Sequence, residues 1–340
     1  MPKRQLEQQL VKHLGDNWMN NFKEFDHVPI AAASIGQVHR AVLLDGTIVA
    51  MKIQYPGVAD SIESDLNNLK NLVTMTNILP RGLFIDQIIK VASDELAIEC
   101  DYETEAQSQM RYRELVVSDK WLSNHVSVPQ VFPNLTTKRV LTSAFVEGVA
   151  IDKAISLPQS VRNAIARTTL ILTIRELFEW RFIQSDPNFG NFLYDHPNKT
   201  INLIDFGAAR EYKKSFVDGY LKLVWAAANK DKDTILRVSK ELGFLTGDES
   251  EEMINAHCEA GFILGEVFAS NEPFDFSKSN LSKRIGKFGE TFMKYRLTAP
   301  PVEAYSLHRK LAGAFMLAIK LKANMPCRDI LEDAYRNSQV

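Results

Sequence analysis

Leucines at positions 6, 10 and 14 recur at helical spacing and Gly15-Asp16 ends the run, which predicts a helix over residues 3 to about 14. From Val28 to Gln54 the texture changes to strand. Two β-rich runs, Val38 to Leu44 and Thr47 to Ile53, flank Asp45-Gly46, a two-residue hairpin signal. After Pro56-Gly57 two long helical patterns follow, about 58–78 and about 84–113, split by Pro80-Arg81-Gly82. Short strands are predicted at Val126 to Val131 and Arg139 to Phe145, then a helix from about Pro158 to Trp180. Two brief strands, Phe192 to Tyr194 and Ile201 to Ile204, flank an Asn-Lys turn. Everything after Lys213 reads as helix, broken at Gly243, near Pro273 and at Pro300-Pro301. There is no internal repeat. The order is that of an α+β protein: a strand-rich first part with inserted helices, then a helical second part, dividing near 146–150.

A chain of 340 residues fits two packed lobes better than one core. With 45% hydrophobic and 24% charged residues it is neither disordered, collagen-like nor disulfide-stapled. Lys plus Arg (40) nearly cancels Asp plus Glu (42), so no overall charge draws it to nucleic acid. The charge is unevenly spread: 11 basic and 2 acidic residues lie between Lys278 and Arg328, leaving the rest at about −11. Cys100, Cys258 and Cys327 are odd in number, far apart and in no metal-ligand spacing, which predicts reduced thiols in a non-secretory compartment. No apolar run reaches the roughly 18 residues of a membrane span. The N-terminus has neither the composition of a transit peptide nor the apolar run of a signal peptide. Either the chain needs no address or the addressed segment is missing from it.

Four separated features carry chemistry. Val49-Ala50-Met51-Lys52 ends the second hairpin strand, and a lysine there can reach the phosphates of a nucleotide. Alone it is weak, because most strand-end lysines are simply solvated. The hairpin is preceded by Ala31-Ala32-Ala33-Ser34-Ile35-Gly36-Gln37-Val38. This matches a kinase phosphate loop at Gly36 and Val38 but has Ala31 and Ala33 where the first two glycines belong. A small-residue turn is the plain alternative. Next, Asp186 stands five residues before Asn191, the spacing of a kinase catalytic loop, with Gln184-Ser185 replacing the usual His-Arg. An Asx-rich turn would look the same. Finally, Asp205-Phe206-Gly207 follows a short hydrophobic strand, 14 residues after Asn191, where an Asp can hold magnesium on nucleotide phosphates. Each feature has a structural alternative. Their order, with helical glutamates between Lys52 and Asp186, points to a kinase-type nucleotide site.

The wording of these segments goes further. Ala31 to His39, Glu99-Cys100-Asp101-Tyr102, Ser185-Asp186-Pro187-Asn188 and Asp205-Phe206-Gly207-Ala208 resemble the UbiB family, the aarF-domain-containing (ADCK) atypical kinases. The resemblance runs on through Phe274-Asp275-Phe276, Pro300-Pro301 and Tyr305 to Lys310, and is nearest the mitochondrial branch supporting coenzyme Q (ubiquinone) biosynthesis. It implies a protein-kinase-like bilobal fold: a small N-lobe over 26–147 and a larger helical C-lobe over 148–340. It also implies binding of ATP or ADP with Mg2+, and a location peripheral to the matrix side of the inner mitochondrial membrane. Carried over by position, Lys52 would contact the α/β-phosphates and Asp186 would be the catalytic carboxylate. Asn191 and Asp205 would hold magnesium. Ala31, Ala32, Ala33 and Ser34, with Gly36 and Val38 behind them, would cover the phosphates. The backbone of Ser143, Ala144, Phe145 and Val146 would meet the adenine. Glu105 is favoured as the Lys52 partner and Glu99 as the family-specific residue, with the reverse left open. The family's K-x-G-Q motif does not occur upstream of Ala31. Residues 1–25 therefore read as a remnant of its N-terminal extension, in a fragment, a short isoform or a variant without that lid.

Three functions compete: Mg-ATP hydrolysis or phosphoryl transfer, with a quinone-precursor lipid as candidate acceptor; a nucleotide-gated scaffold organising other coenzyme Q biosynthesis proteins without transfer; and a soluble small-molecule kinase of the choline or aminoglycoside type. The last shares the catalytic spacing but would not predict the alanine loop. Separately, Leu281, Ile285, Phe288 and Phe292 recur at three- and four-residue spacing among six basic residues between Lys278 and Arg296. That segment reads either as a basic helix lying on an anionic, cardiolipin-containing membrane or as a helix packed on the protein core.

Overall fold

The computed structural model describes residues 1–58, 61, 64, 68, 89–90, 93, 96, 98–186 and 188–338. The predicted helix over 58–78 lies almost wholly outside the described residues, as does the first part of the one over 84–113. The chain groups into two compact units. The first holds the described residues of Met1–Leu72, Ile89–Ala150 and Asn191–Ala209, and the second those of Ile151–Gly190 and Arg210–Val340. Residues 191–209 therefore pack with the first unit, whereas a division at 147/148 puts them in the second.

An antiparallel sheet organises the first unit. Its strands run Phe22–Phe25, Gly36–Leu43, Ile48–Gln54 and Val140–Ala144 in spatial order, with Ala31–Ala32 also paired to Gly36–Leu43. The predicted hairpin forms, its turn opened by Gly46 at φ +90° and closed by the Thr47 N–H donating to Asp45 Oδ1 at 2.8 Å. Alternation then sorts the side chains. Val49, Met51 and Ile53 point into one core, so Lys52 must point to the other face.

That core also takes Leu6 and Leu10 from the Lys3–Leu14 helix, with Trp18, Phe22 and Phe25. Residues 1–25, expected as a remnant of an extension, are thus built into this unit, and Phe22–Phe25 is a sheet strand that the pattern did not predict. Glycine is required at Gly36 by closeness rather than by turn geometry. A Cβ there would sit 3.0 Å from the Ile53 carbonyl carbon. The expected helix over 84–113 is interrupted: a new one, Tyr102–Ser118, starts at Asp101, whose side chain accepts from the N–H groups of Glu103 and Thr104. A smaller sheet of Val126–Ser127, Thr200–Leu203, Phe192–Asp195 and Val149–Ala150 completes the unit.

The second unit is mainly helical: Gln159–Ile174, Lys214–Ala228, Lys232–Leu242, Glu251–Gly265, Val302–Lys320 and Arg328–Asn337 are its longer helices. Gly243 ends one of them in the left-handed region, as its position predicts. Two departures matter. The Pro158-to-Trp180 helix finishes in a π-helical turn, Arg175–Trp180, capped by Arg181 at φ +54°. The stretch after Lys213 also includes a two-stranded pairing of Phe274–Asp275 with Asn324–Met325. The three cysteines are buried and free.

Candidate active site

On the face of the sheet opposite that core, Lys52 Nζ donates to both carboxylate oxygens of Glu105, at 3.0 and 3.1 Å, and to Asp205 Oδ2 at 3.4 Å. Each partner is placed by its own element. Lys52 lies on a strand paired on both sides, opposite Val38 and Leu141. Glu105 projects from the first turn of the Tyr102–Ser118 helix and is fully buried. Its Oε1 also accepts the Phe206 N–H at 3.4 Å, while Asp205 Oδ1 accepts the Gly207 N–H at 3.1 Å. The Tyr102 ring lies 5.0 Å from the lysine ammonium, a cation–π contact in a desolvated place. Phe206 packs on Tyr112 with ring centroids 5.0 Å apart, which anchors the segment carrying Asp205.

One ammonium faces two carboxylates, and the electrostatics follow. Burial works against the charge on Lys52, but Asp205 and then Glu105 outweigh it and raise the pKa well above the ordinary value. Burial pushes the Glu105 carboxyl upward, opposed by Lys52 and reinforced by Asp205. Lys52 is firmly charged, and Glu105 is the group whose charge depends on this arrangement.

Glu99, the other candidate, is half-buried beside Gly207, where a Cβ would stand 3.3 Å from Glu99 Cγ. The structure pairs Lys52 with Glu105 and sets Glu99 against the Asp205-Phe206-Gly207 segment. Asn191 and Asp205 are brought together by a hairpin. Phe192 pairs with Leu203, and the Ile204 N–H donates to the Asn191 carbonyl at 3.1 Å, so both candidate metal ligands emerge at one end of the same two strands. Among the described residues no group of three or more His, Cys, Asp or Glu side chains is placed to hold a metal. A carboxylate and an amide carbonyl are hard oxygen donors. They suit Mg2+, which takes few protein ligands and completes its shell with phosphate oxygens and water.

Parts of the loop and strand expected to meet the nucleotide are hydrogen-bonded within the protein. Ala31 and Ala32 are strand residues paired with Val38 and Gln37, and Ala33 spends its N–H on the Gly36 carbonyl at 2.9 Å. The loop is thus closed on itself, leaving exposed Ser34 at its tip. In the predicted adenine strand, Ala144 donates its N–H to Gln130 and Phe145 donates to Ile48. Neither amide is available to a base. The Val146 N–H donates to no described residue.

Asp186 belongs to the second unit, and a network that sequence reasoning missed holds its loop. Fully buried Glu176, in the π-helical turn, pairs with buried Lys310 at 2.6 Å and accepts the Gln184 N–H at 3.2 Å. Gln184 Oε1 in turn accepts the Asp186 N–H at 2.6 Å. Arg309 donates from Nε to the Ser185 carbonyl at 3.1 Å and from Nη2 to Ser185 Oγ at 3.2 Å. Asp186 Oδ1 accepts from Asn188, and Asn188 Oδ1 accepts from Gly190, so the segment is also the Asx-rich turn its composition suggests. The missed signal was two adjacent basic residues, Arg309-Lys310, midway along a helix whose second half is mostly apolar.

The Lys278-to-Arg296 segment is two short helices, Leu281–Gly286 and Gly289–Tyr295, not one. Leu281 is buried, Ile285 and Phe292 turn onto a cavity inside the second unit, and Arg284 pairs with Glu266. The stripe faces protein.

Comparison with known proteins shows the family. The chain is 47% identical over 335 residues to "Atypical kinase COQ8B, mitochondrial" of Danio rerio, covering 98% of this chain and 53% of that protein. It is 44% identical over 341 residues to "Atypical kinase coq-8, mitochondrial" of Caenorhabditis elegans, covering 99% and 45%. The chain thus spans about half the length of these relatives. Among solved structures, Rv3197 of Mycobacterium tuberculosis, determined as a complex with erythromycin, superposes with a TM-score of 0.76 at 23% identity. That match covers 98% of this chain and 83% of the other, and it speaks for the fold alone. A family model described as the ABC1 atypical kinase-like domain matches residues 1–239, and with the α+β fold and the lysine–glutamate–aspartate cluster already in place, the chain belongs to that family, the UbiB kinases of the sequence resemblance.

Proposed function

We propose that this chain is the nucleotide-binding and catalytic part of a mitochondrial atypical kinase or ATPase that supports coenzyme Q biosynthesis. The observation that carries the reading is the Lys52–Glu105–Asp205 cluster: a desolvated lysine held by both oxygens of a helical glutamate and directed at the aspartate of an Asp-Phe-Gly segment. Such a lysine binds the α/β-phosphates, and Glu105 fixes where its ammonium stands. Asp205 and Asn191 would hold magnesium, which when bound neutralises charge on the β- and γ-phosphates. Ser34 and its alanine neighbours would lie over the phosphates, and the free Val146 N–H would meet the adenine edge. Asp186 would take the proton of the attacking hydroxyl or water as the new P–O bond forms and ADP leaves. A quinone-precursor lipid as acceptor, other coenzyme Q proteins as partners and contact with an anionic membrane are the outer parts of the same proposal.

Asp205→Asn tests it. Mg-ATP should raise the melting temperature of the native chain, and the variant should lose most of that shift together with phosphate release. A variant with wild-type Mg-ATP shifts would overturn the metal assignment. A native chain that shifts with Mg-ATP but never releases or transfers phosphate would favour the scaffold reading.

A further inference from the structure

The second unit holds a cavity of about 230 Å3, partly open to solvent, lined by the helices Lys214–Ala228, Glu251–Gly265 and Val302–Lys320 and by Ile285 and Phe292. Its volume exceeds the roughly 150 Å3 of an engineered apolar cavity that takes up benzene. Most of the wall is aliphatic or aromatic, and Leu223, Leu264, Ile285 and Phe292 keep part of their surface uncovered. Three polar side chains share the lining: Arg296, His257 and His308.

Arg296 has no business in a plain hydrophobic core. Its guanidinium stacks 5.0 Å over the Phe292 ring, and its Nε is buried without a hydrogen-bond partner. Among the described residues no carboxylate pairs with it, whereas Arg284 and Arg328 of the same unit each have one. Burial depresses its pKa, as expected for an uncompensated charge. Lys294 and Glu290 of the adjoining helix are exposed and do not line the cavity.

The histidines are donors rather than rival cations. Burial, then the charge of Arg296, pushes both down to about 4 and keeps them neutral. His257 shares a hydrogen bond with Ser239 Oγ at 2.8 Å. His308 is stacked on Phe244 at 5.6 Å, lines the cavity and makes no side-chain hydrogen bond among the described residues.

We propose that this cavity binds a single-chain aliphatic carboxylate, its tail in the apolar space and its head on Arg296 and His308. One unpaired guanidinium balances one negative charge, and a carboxylate can accept two N–H donors of the guanidinium side by side. A phosphate monoester would bring nearly twice that charge. The inference does not depend on the nucleotide reading, since every residue in it lies in the second unit.

The test is calorimetric titration of the native chain with decanoate, decanol and acetate, each kept below its aggregation limit. Decanoate should bind at one saturable site, decanol at least tenfold more weakly, and acetate not measurably. Arg296→Gln should bring decanoate down to the level of decanol, and Arg296→Lys should restore part of the difference. Gly261→Leu supplies the location. A Cβ at Gly261 meets only Ile235 Cδ1, at 3.9 Å, so leucine can enter the cavity without backbone strain and should abolish binding of both ten-carbon probes. Far-ultraviolet circular dichroism and a cooperative melting transition report that each variant is folded. Absence of decanoate binding, equal affinity for decanoate and decanol, or undiminished binding by Gly261→Leu would each overturn the assignment.

Discussion

Glu105 sits where the charges of the first unit are decided. It is buried, and its pKa is raised mainly by that burial, with Lys52 pulling the other way. A carboxyl with a raised native pKa holds its proton more tightly folded than unfolded. Its contribution to stability is therefore complete below the unfolded value of about 4.3 and is lost as pH climbs through the higher native value. Glu105→Gln removes the titrating group while keeping its shape. In the nucleotide-free state the variant should show a melting temperature that falls less than wild type from pH 5 to pH 8. Equal slopes would mean that Glu105 keeps an ordinary carboxylate pKa despite its burial. Hydrolysis should fall by about 100-fold in the same variant at neutral pH, because the lysine loses the bidentate partner that fixes its position.

Among the elements, the Val302–Lys320 helix does more than cover a core. Arg309 reaches the backbone and hydroxyl of Ser185, and Lys310 holds Glu176, which holds Gln184, which holds the Asp186 amide. With Asp186 in its proposed role, Arg309 would act as a positioning residue. Arg309→Met should lower kcat by about 100-fold while leaving the KM for ATP within about threefold, since the nucleotide contacts proposed above lie in the other unit. Arg309→Lys should recover only part of the loss, because an ammonium cannot replace two parallel guanidinium bonds. A KM effect of the same size as the kcat effect would argue against positioning.

None of this support was legible in the linear pattern. Hydrophobic spacing predicted the hairpin around Asp45-Gly46, the Lys3–Leu14 helix and the Phe192-to-Leu203 strand pair, because each carries a local period and a local turn residue. The wording of the Asp205-Phe206-Gly207 and Asp186-to-Asn191 segments pointed to the site. What escaped depends on partners distant in sequence. Phe22–Phe25 is a strand only because Gly36–Leu43 lies beside it, the break at Cys100–Asp101 is set by a capping side chain, and Lys310 is buried only because Glu176 waits for it.

At the scale of the whole molecule, the second unit carries an acid response opposite in sign to that of Glu105. In the second, His257 and His308 are pushed down to about 4 by burial and by Arg296. A histidine with a lowered native pKa contributes stability above its unfolded value of about 6.5, and that contribution is lost as pH falls toward the native value. His308→Phe, which keeps the stack on Phe244, should therefore melt with a smaller loss than wild type between pH 6.5 and pH 4.5. Matching losses would remove His308 from the acid response. The same divided construction bears on how such a protein can change. The stretch 191–209 carries Asn191 and Asp205, and it folds with the sheet that bears Lys52, while Asp186 stays behind in the helical unit. In the proposed function, affinity for the nucleotide and the act of transfer thereby draw on residues of different units, like the clutch and the gear of one drive train. Asp186→Asn should leave the Mg-ATP melting shift near wild type and reduce phosphate release at least 100-fold. An equal collapse of both would mean that the two are coupled after all. If they separate, a lineage can silence the chemistry by one substitution in the helical unit and keep a nucleotide-responsive protein, or retune its nucleotide preference without touching the carboxylate proposed for transfer.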